Sequence, residues 1–86
     1  MKLHPTLSVV IPTLNAETAL ADTIQSVQGF FPEIIIADGG STDETIAIAH
    51  NFGAKIVMSE KGRGRQLRAG GKAASGDWLL FLHAEP

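Results

Sequence analysis

The sequence contains no cysteine, which excludes disulfides and thiolate metal centres. No apolar run approaches the ~20 residues of a membrane-spanning helix. The first residues hold no signal-peptide core, because Pro12 and Asn15 interrupt the apolar stretch too early. These absences fit a cytoplasmic protein. Phosphate-loop fingerprints are lacking as well. Gly62-Arg63-Gly64 has no third glycine in G-x-G-x-x-G register, and no Gly-Lys-Ser/Thr follows a predicted strand. The formal net charge of −2 argues against broad nucleic-acid binding.

What is present suits one small α/β domain. The chain has 86 residues, 44% of them hydrophobic, enough for one core. A β-rich run predicts a first strand over residues 7–11, and Asn15 stands as an N-cap before a helix reaching Gln28. Leu20, Ala21, Ile24 and Val27 form that helix's apolar stripe, which Gly29 and Pro32 close. Residues 33–37 read as a second strand, 42–51 as a helix, 54–58 as a third strand, 63–74 as a helix and 78–82 as a fourth strand. Near-continuous apolar strands suit a sheet covered on both faces. Right-handed crossovers then favour a mostly parallel sheet in a three-layer sandwich. In the third helix Leu67, Gly70, Gly71 and Ala74 share one face. Each internal glycine costs ~1 kcal/mol against alanine, so the pair implies close packing or a nearby ligand.

The most informative stretch runs from Glu33 to Glu44. Three isoleucines and an alanine lead to Asp38, and then Gly39 and Gly40 permit a sharp turn or close approach of a ligand. Ser41 and Glu44 have the spacing of a helix capping box. In an open α/β sheet ligands bind beyond the carboxyl ends of the strands, which places Asp38 at the crevice. A carboxylate there suits hydroxyl or base recognition, or a turn at the helix entry. Thr13 and Asn15 follow the first strand, and His83 and Glu85 follow the fourth. If those strands are neighbours, all three polar ends converge. Polar residues of this kind also serve capping and solubility in any β-α loop.

Charge is unevenly placed. Five of the seven basic residues, Lys61, Arg63, Arg65, Arg68 and Lys72, lie between positions 61 and 72. A cationic patch in a mildly acidic chain suggests a small anionic ligand, although a solvated helix face reads the same way. Arg63 and Arg65 stand at a predicted helix N-terminus, where backbone N–H groups already favour anions. His83-x-Glu85 offers imidazole and carboxylate to a divalent ion.

Four segments in order resemble a family-2 glycosyltransferase with a GT-A fold: residues 8–15 with Glu17, residues 37–43, residues 62–67 and residues 74–85. Gly-Arg-Gly-Arg-Gln-Leu and Leu-Phe-Leu-His-Ala resemble the subgroup found beside selenium- and radical-SAM-associated genes in bacteria. The resemblance implies the N-terminal, Rossmann-like half of a GT-A fold and a nucleotide-diphospho-sugar donor, most often linked to UDP. Pro12, Thr13, Asn15 and Glu17 would lie along the nucleoside, and Asp38, with Gly39 beside it, would bind base or ribose. Arg63 and Arg65 would approach the diphosphate. His83-Ala84-Glu85 stands where the family has Asp-x-Asp, so Glu85 with His83 would hold Mn²⁺ or Mg²⁺.

Three positions depart from the pattern: Glu85 replaces the last aspartate, Leu67 a frequent arginine and Arg68 the subgroup's asparagine. The family's second half, with the acceptor site and, in inverting members, the general base, has no counterpart. Residues 1–86 are thus expected to be the donor-binding part of a truncated glycosyltransferase domain, inactive alone. Strand 78–82 is expected to be an exposed apolar edge through which the chain self-associates. The competing reading is a non-catalytic nucleotide-binding or interaction module. A methyltransferase-like Rossmann domain fits less well, because its glycine loop follows the first strand rather than the second.

Overall fold

The computed structural model describes residues 6–84. Strands β1 (Leu7–Thr13), β2 (Glu33–Asp38), β3 (Lys55–Met58) and β4 (Trp78–Phe81) form one sheet in the order β3-β2-β1-β4. Every pairing is parallel. Helix α1 (Leu20–Val27) follows β1, α2 (Thr45–Asn51) follows β2, and α3 (Arg63–Ala73) follows β3.

The side-chain alternation of β1 and β2 builds the three layers. Val9, Ile11 and Ile36 join Leu20, Ile24 and Val27 of α1 and Ala49 of α2 in one fully covered cluster. Val10, Ile35 and Ala37 face the other way and pack with Leu67 and Ala73 of α3. β1 and β2 are therefore apolar on both faces, as central parallel strands must be. Gly70 is where α3 comes closest to the sheet: a Cβ there would lie 2.3 Å from Val10 Cγ1. At Gly71 the nearest outside atom is Leu79 Cδ1 at 3.8 Å, an ordinary contact.

The chain steps outward from β1 to β2 to β3, then returns through α3 on the opposite face to place β4 beside β1. The switch point of the topology therefore lies between β1 and β4. At the amino ends of the strands, the α3–β4 connection is latched down. Ser8 Oγ and the Ser75 backbone N–H both donate to Glu33 Oε1 at 2.8 Å, and the Gly76 N–H donates to Ser8 Oγ at 3.0 Å. Hydrogen bonds from the Ser75 backbone, then the Ser8 hydroxyl, hold the Glu33 carboxyl below its ordinary pKa.

Several boundaries differ from the sequence reading. β1 continues through Pro12 to Thr13, because β4 pairs only with residues 7–10 and Pro12 lies past that ladder, where a missing N–H loses no bond. Asn15 does not cap α1: it adopts φ +53°, a turn intervenes, and the helix begins at Leu20 behind Ala19. The capping box of Ser41 and Glu44 does not form. α2 begins at Thr45, and both residues bond elsewhere. β4 ends at Phe81, with Trp78, Leu79, Leu80 and Phe81 between 43% and 62% exposed. Among the described residues no helix is long and apolar enough to cross a membrane.

Candidate functional site

The carboxyl ends of β1 and β2 lead into two loops that cap each other. The Asn15 N–H donates to Ser41 Oγ, and the Thr42 N–H donates back to Asn15 Oδ1, both at 2.8 Å. Two residues on, the Glu17 N–H donates to Asp43 Oδ2 and the Glu44 N–H to Glu17 Oε2, both at 3.1 Å. Ala16 N–H donates to the buried Thr45 Oγ1 at 2.8 Å, and Asp43 Oδ1 receives the Thr45 N–H at 2.9 Å and its hydroxyl. Asp43 thus serves the first turn of α2 in the way a capping residue does. Burial opposes its ionisation, but the bonds from Thr45 and Glu17 prevail and lower its pKa.

Asp38 sits beneath this zipper and is fully buried. Its Oδ1 accepts the Thr13 hydroxyl at 2.7 Å and the Ser41 hydroxyl, while Oδ2 accepts the Gly40 N–H at 2.9 Å and the Ser41 N–H at 2.7 Å. Two bonds to each oxygen satisfy the carboxylate. Burial alone would raise its pKa; the Ser41 hydroxyl and N–H, the Thr13 hydroxyl and the Gly40 N–H together hold it below the ordinary value. Asp38 is therefore a charged keystone for the turn after β2.

On the other side of the strand ends stands the N-terminus of α3. Gly62, at φ +141°, is its N-cap and supplies no side-chain cap. Gln66, one turn in, is only 5% exposed. Its Nε2 donates to the carbonyls of Thr13 at 2.8 Å and Ala37 at 2.9 Å, and its Oε1 accepts the Gly62 N–H at 3.2 Å.

Between these parts, at the β1/β4 switch point, an open cleft of about 200 Å³ is lined by Pro12, Thr13, Leu14, Asn15, Arg63, Gln66, His83 and Ala84. An open α/β sheet binds ligands at this place. Arg63 and the α3 N-terminus make the cleft favourable to anions, and exposed His83 also lines it. A second cleft of about 300 Å³ lies at the opposite ends of the strands, where Ser8, Glu33 and Ser75 are already bonded to one another.

Of the residues singled out in the sequence, Pro12, Thr13, Asn15, Arg63 and His83 come together in the cleft. Glu17, Asp38 and Gly39 lie behind it, in the loop framework. Arg65 points outward and pairs with Glu60 at 3.1 Å, both side chains well exposed, which makes the pair a weak one. Glu85 lies outside the described residues. Gln66, which the sequence pattern leaves without a role, also lines the cleft. The available signal was its position one turn before Gly70, on the face that packs against the sheet.

The described residues contain no group of three or more metal-binding side chains. A divalent ion bound to a diphosphate needs few protein ligands, since phosphate oxygens and water complete its shell. Among the described residues, His83 brings one imidazole to the cleft.

Residues 8–85 match the family model described as Glycosyl transferase family 2. A PGL/p-HBAD biosynthesis glycosyltransferase of Mycobacterium tuberculosis is 37% identical over 92 residues, covering 94% of this chain and 36% of the relative. Glucosyl-3-phosphoglycerate synthase of the same organism is 36% identical over 97 residues, covering 98% of this chain and 30% of that enzyme. Crystal structures of that synthase superpose well. The complex with Mn²⁺, UDP and glucosyl-3-phosphoglycerate has a TM-score of 0.86 at 32% identity, over 94% of this chain and 34% of the other. The complex with Mn²⁺, UDP-glucose and phosphoglyceric acid has the same TM-score and identity, over 94% and 33%. The chain spans about a third of the length of these relatives.

Proposed function

Because the chain belongs to glycosyl transferase family 2, we propose that its cleft is the donor site of a glycosyltransferase domain and takes a nucleotide-diphospho-sugar, UDP-linked. The observation that carries this is the convergence at one switch point of the residue 12–15 backbone, Arg63 in the first turn of a helix whose N-cap, Gly62, has no side chain, and His83. Similarity to a synthase whose structures hold UDP and Mn²⁺ supports the same choice of ligand. Pro12, Thr13 and Asn15 lie along the nucleoside. Glu17, Asp38 and Gly39 act one layer back, by holding the loop that carries Asn15. Arg63 meets the diphosphate, and Arg65 adds long-range positive charge from its place beside Glu60.

His83 and Glu85 would hold the Mn²⁺ or Mg²⁺, which when bound neutralises charge on the departing nucleoside diphosphate. The chain's own part is to bind and orient the donor, with Arg63 and the α3 N–H groups fixed where negative charge develops. Residues 1–86 are read as the donor-binding part of the domain; the acceptor site and catalytic base are not assigned to them. The cytoplasm is the compartment that this reading favours. The exposed β4 edge is read as a self-association surface. The narrower resemblance to the selenium- and radical-SAM-associated subgroup rests on residues 62–67 and 80–84; the relatives named above carry no such association in their names.

The test is calorimetric titration of UDP in Mg²⁺ against the chain and its Arg63→Ala variant. Loss of one charged contact predicts about tenfold or more weaker binding. Unchanged affinity would remove Arg63 from the site.

A further inference from the structure

Gly39 and Gln66 are 27 residues apart in sequence but share one space. A Cβ on Gly39 would fall 2.8 Å from both Cδ and Oε1 of Gln66 and 3.1 Å from its Nε2. Gly39 is buried, and its φ is not in the left-handed region, so backbone conformation does not require glycine here. The neighbouring amide does. That amide joins three parts of the cleft's base: the end of β1 through Thr13 O, the end of β2 through Ala37 O, and the N-cap of α3 through Gly62 N–H. Gly39 N–H shares the Thr13 carbonyl at 2.9 Å. Arg63 is the next residue after Gly62, so whatever fixes Gly62 fixes the root of Arg63.

We propose that Gln66 is a positioning residue, matched to Gly39, that sets the distance between the nucleoside-facing strand ends and the diphosphate-facing start of α3. This rests on the donor-site reading above. Any side chain at position 39 forces the Gln66 amide to shift, and so strains its bonds to both carbonyls and to the Gly62 N–H. Substitution at Gln66 therefore weakens recognition of the diphosphate more than recognition of the nucleoside.

Two measurements test it. The first needs no ligand: thermal denaturation of Gly39→Ala, Gln66→Ala and the double variant. Overpacking predicts that Gly39→Ala lowers the midpoint by roughly 5–15 °C in the wild-type background. In the Gln66→Ala background it should cost less than about 3 °C, because contacting residues couple. Additive losses overturn the matched pairing. The second compares UDP with uridine, both with Mg²⁺, on wild type and Gln66→Met, which keeps the length and removes the hydrogen bonds. The expected outcome is a fall of about tenfold to a hundredfold for UDP, with a several-fold smaller loss for uridine. Equal losses for both ligands overturn the positioning role. If wild type binds no UDP, the donor reading falls and the positioning role with it, while the denaturation cycle still decides whether Gly39 and Gln66 are paired.

Discussion

Replacing Asp38 by asparagine keeps the size of the side chain and removes its charge, and the structure dictates where the damage falls. The Gly40 and Ser41 N–H groups can only donate, so the new amide oxygen must take the place of Oδ2. Its NH₂ then faces the hydroxyls of Thr13 and Ser41, and Ser41 Oγ already accepts the Asn15 N–H. Two charge-assisted bonds are lost and two hydroxyls must turn. Bonds to charged groups contribute about 1.5–3 kcal/mol each and do not add in full, so the net cost is about 1.5–3 kcal/mol. A chain of this length has roughly 4–13 kcal/mol of stability in all. The melting midpoint, followed by circular dichroism at pH 7, should fall by roughly 6–24 °C. Asp38→Ala should cost more, since four donors lose their acceptor at once. The pH profile gives an independent check. The folded-state pKa of Asp38 is lowered, so its contribution is present above the ordinary value of 3.8 and is lost as pH falls through the folded value. The acid arm of stability should be shallower in Asp38→Asn. A variant that melts within about 2 °C of wild type but binds UDP more than tenfold more weakly would refute the reasoning and make Asp38 a direct ligand contact.

Other expectations follow from the same packing. Gly70→Ala drives a methyl into Val10 and should destabilise by about 1–3 kcal/mol, whereas Gly71→Ala has room and should gain up to about 1 kcal/mol of helix propensity; urea denaturation of the pair checks both signs. The Glu33 latch depends on a carboxyl whose pKa is lowered in the fold, so Glu33→Gln should lose stability above about pH 4.5 and differ least from wild type in strong acid. Sedimentation velocity should show dimers or larger species at high concentration, formed through β4, and Leu80→Lys should shift them to monomer. A wild-type chain that stays monomeric throughout would remove that interface.

The order of elements was readable because each carries its own local signal: β-branched strands, glycines and Pro32 between elements, and two glycines where α3 meets the sheet. The convergence on one crevice followed once β4 lay beside β1, which parallel topology made one of few options. The hydrogen bonding of the loops was not readable. Ser41 and Glu44 have the spacing of a local capping box, yet Ser41 bonds to Asp38 and Asn15, and the Glu44 N–H donates to Glu17 in the neighbouring loop. Partners separated by 26 or 27 residues leave no periodic trace in sequence. Asp38 shows the same limit. Its position at the crevice was legible, but the four donors that bury it were not, so a ligand role and a framework role looked alike. The amide of Gln66 was hidden for that reason too, its three bonds reaching back as far as 53 residues.

The most direct test of the donor-site account is an NMR amide titration of the chain with UDP, with Mg²⁺ present and then chelated. The account predicts saturable shifts confined to Thr13, Asn15, the start of α3 and His83, weakening when the metal is removed. A well-dispersed spectrum that does not respond to UDP, or that responds only at the opposite ends of the strands around Glu33 and Ser75, would contradict it.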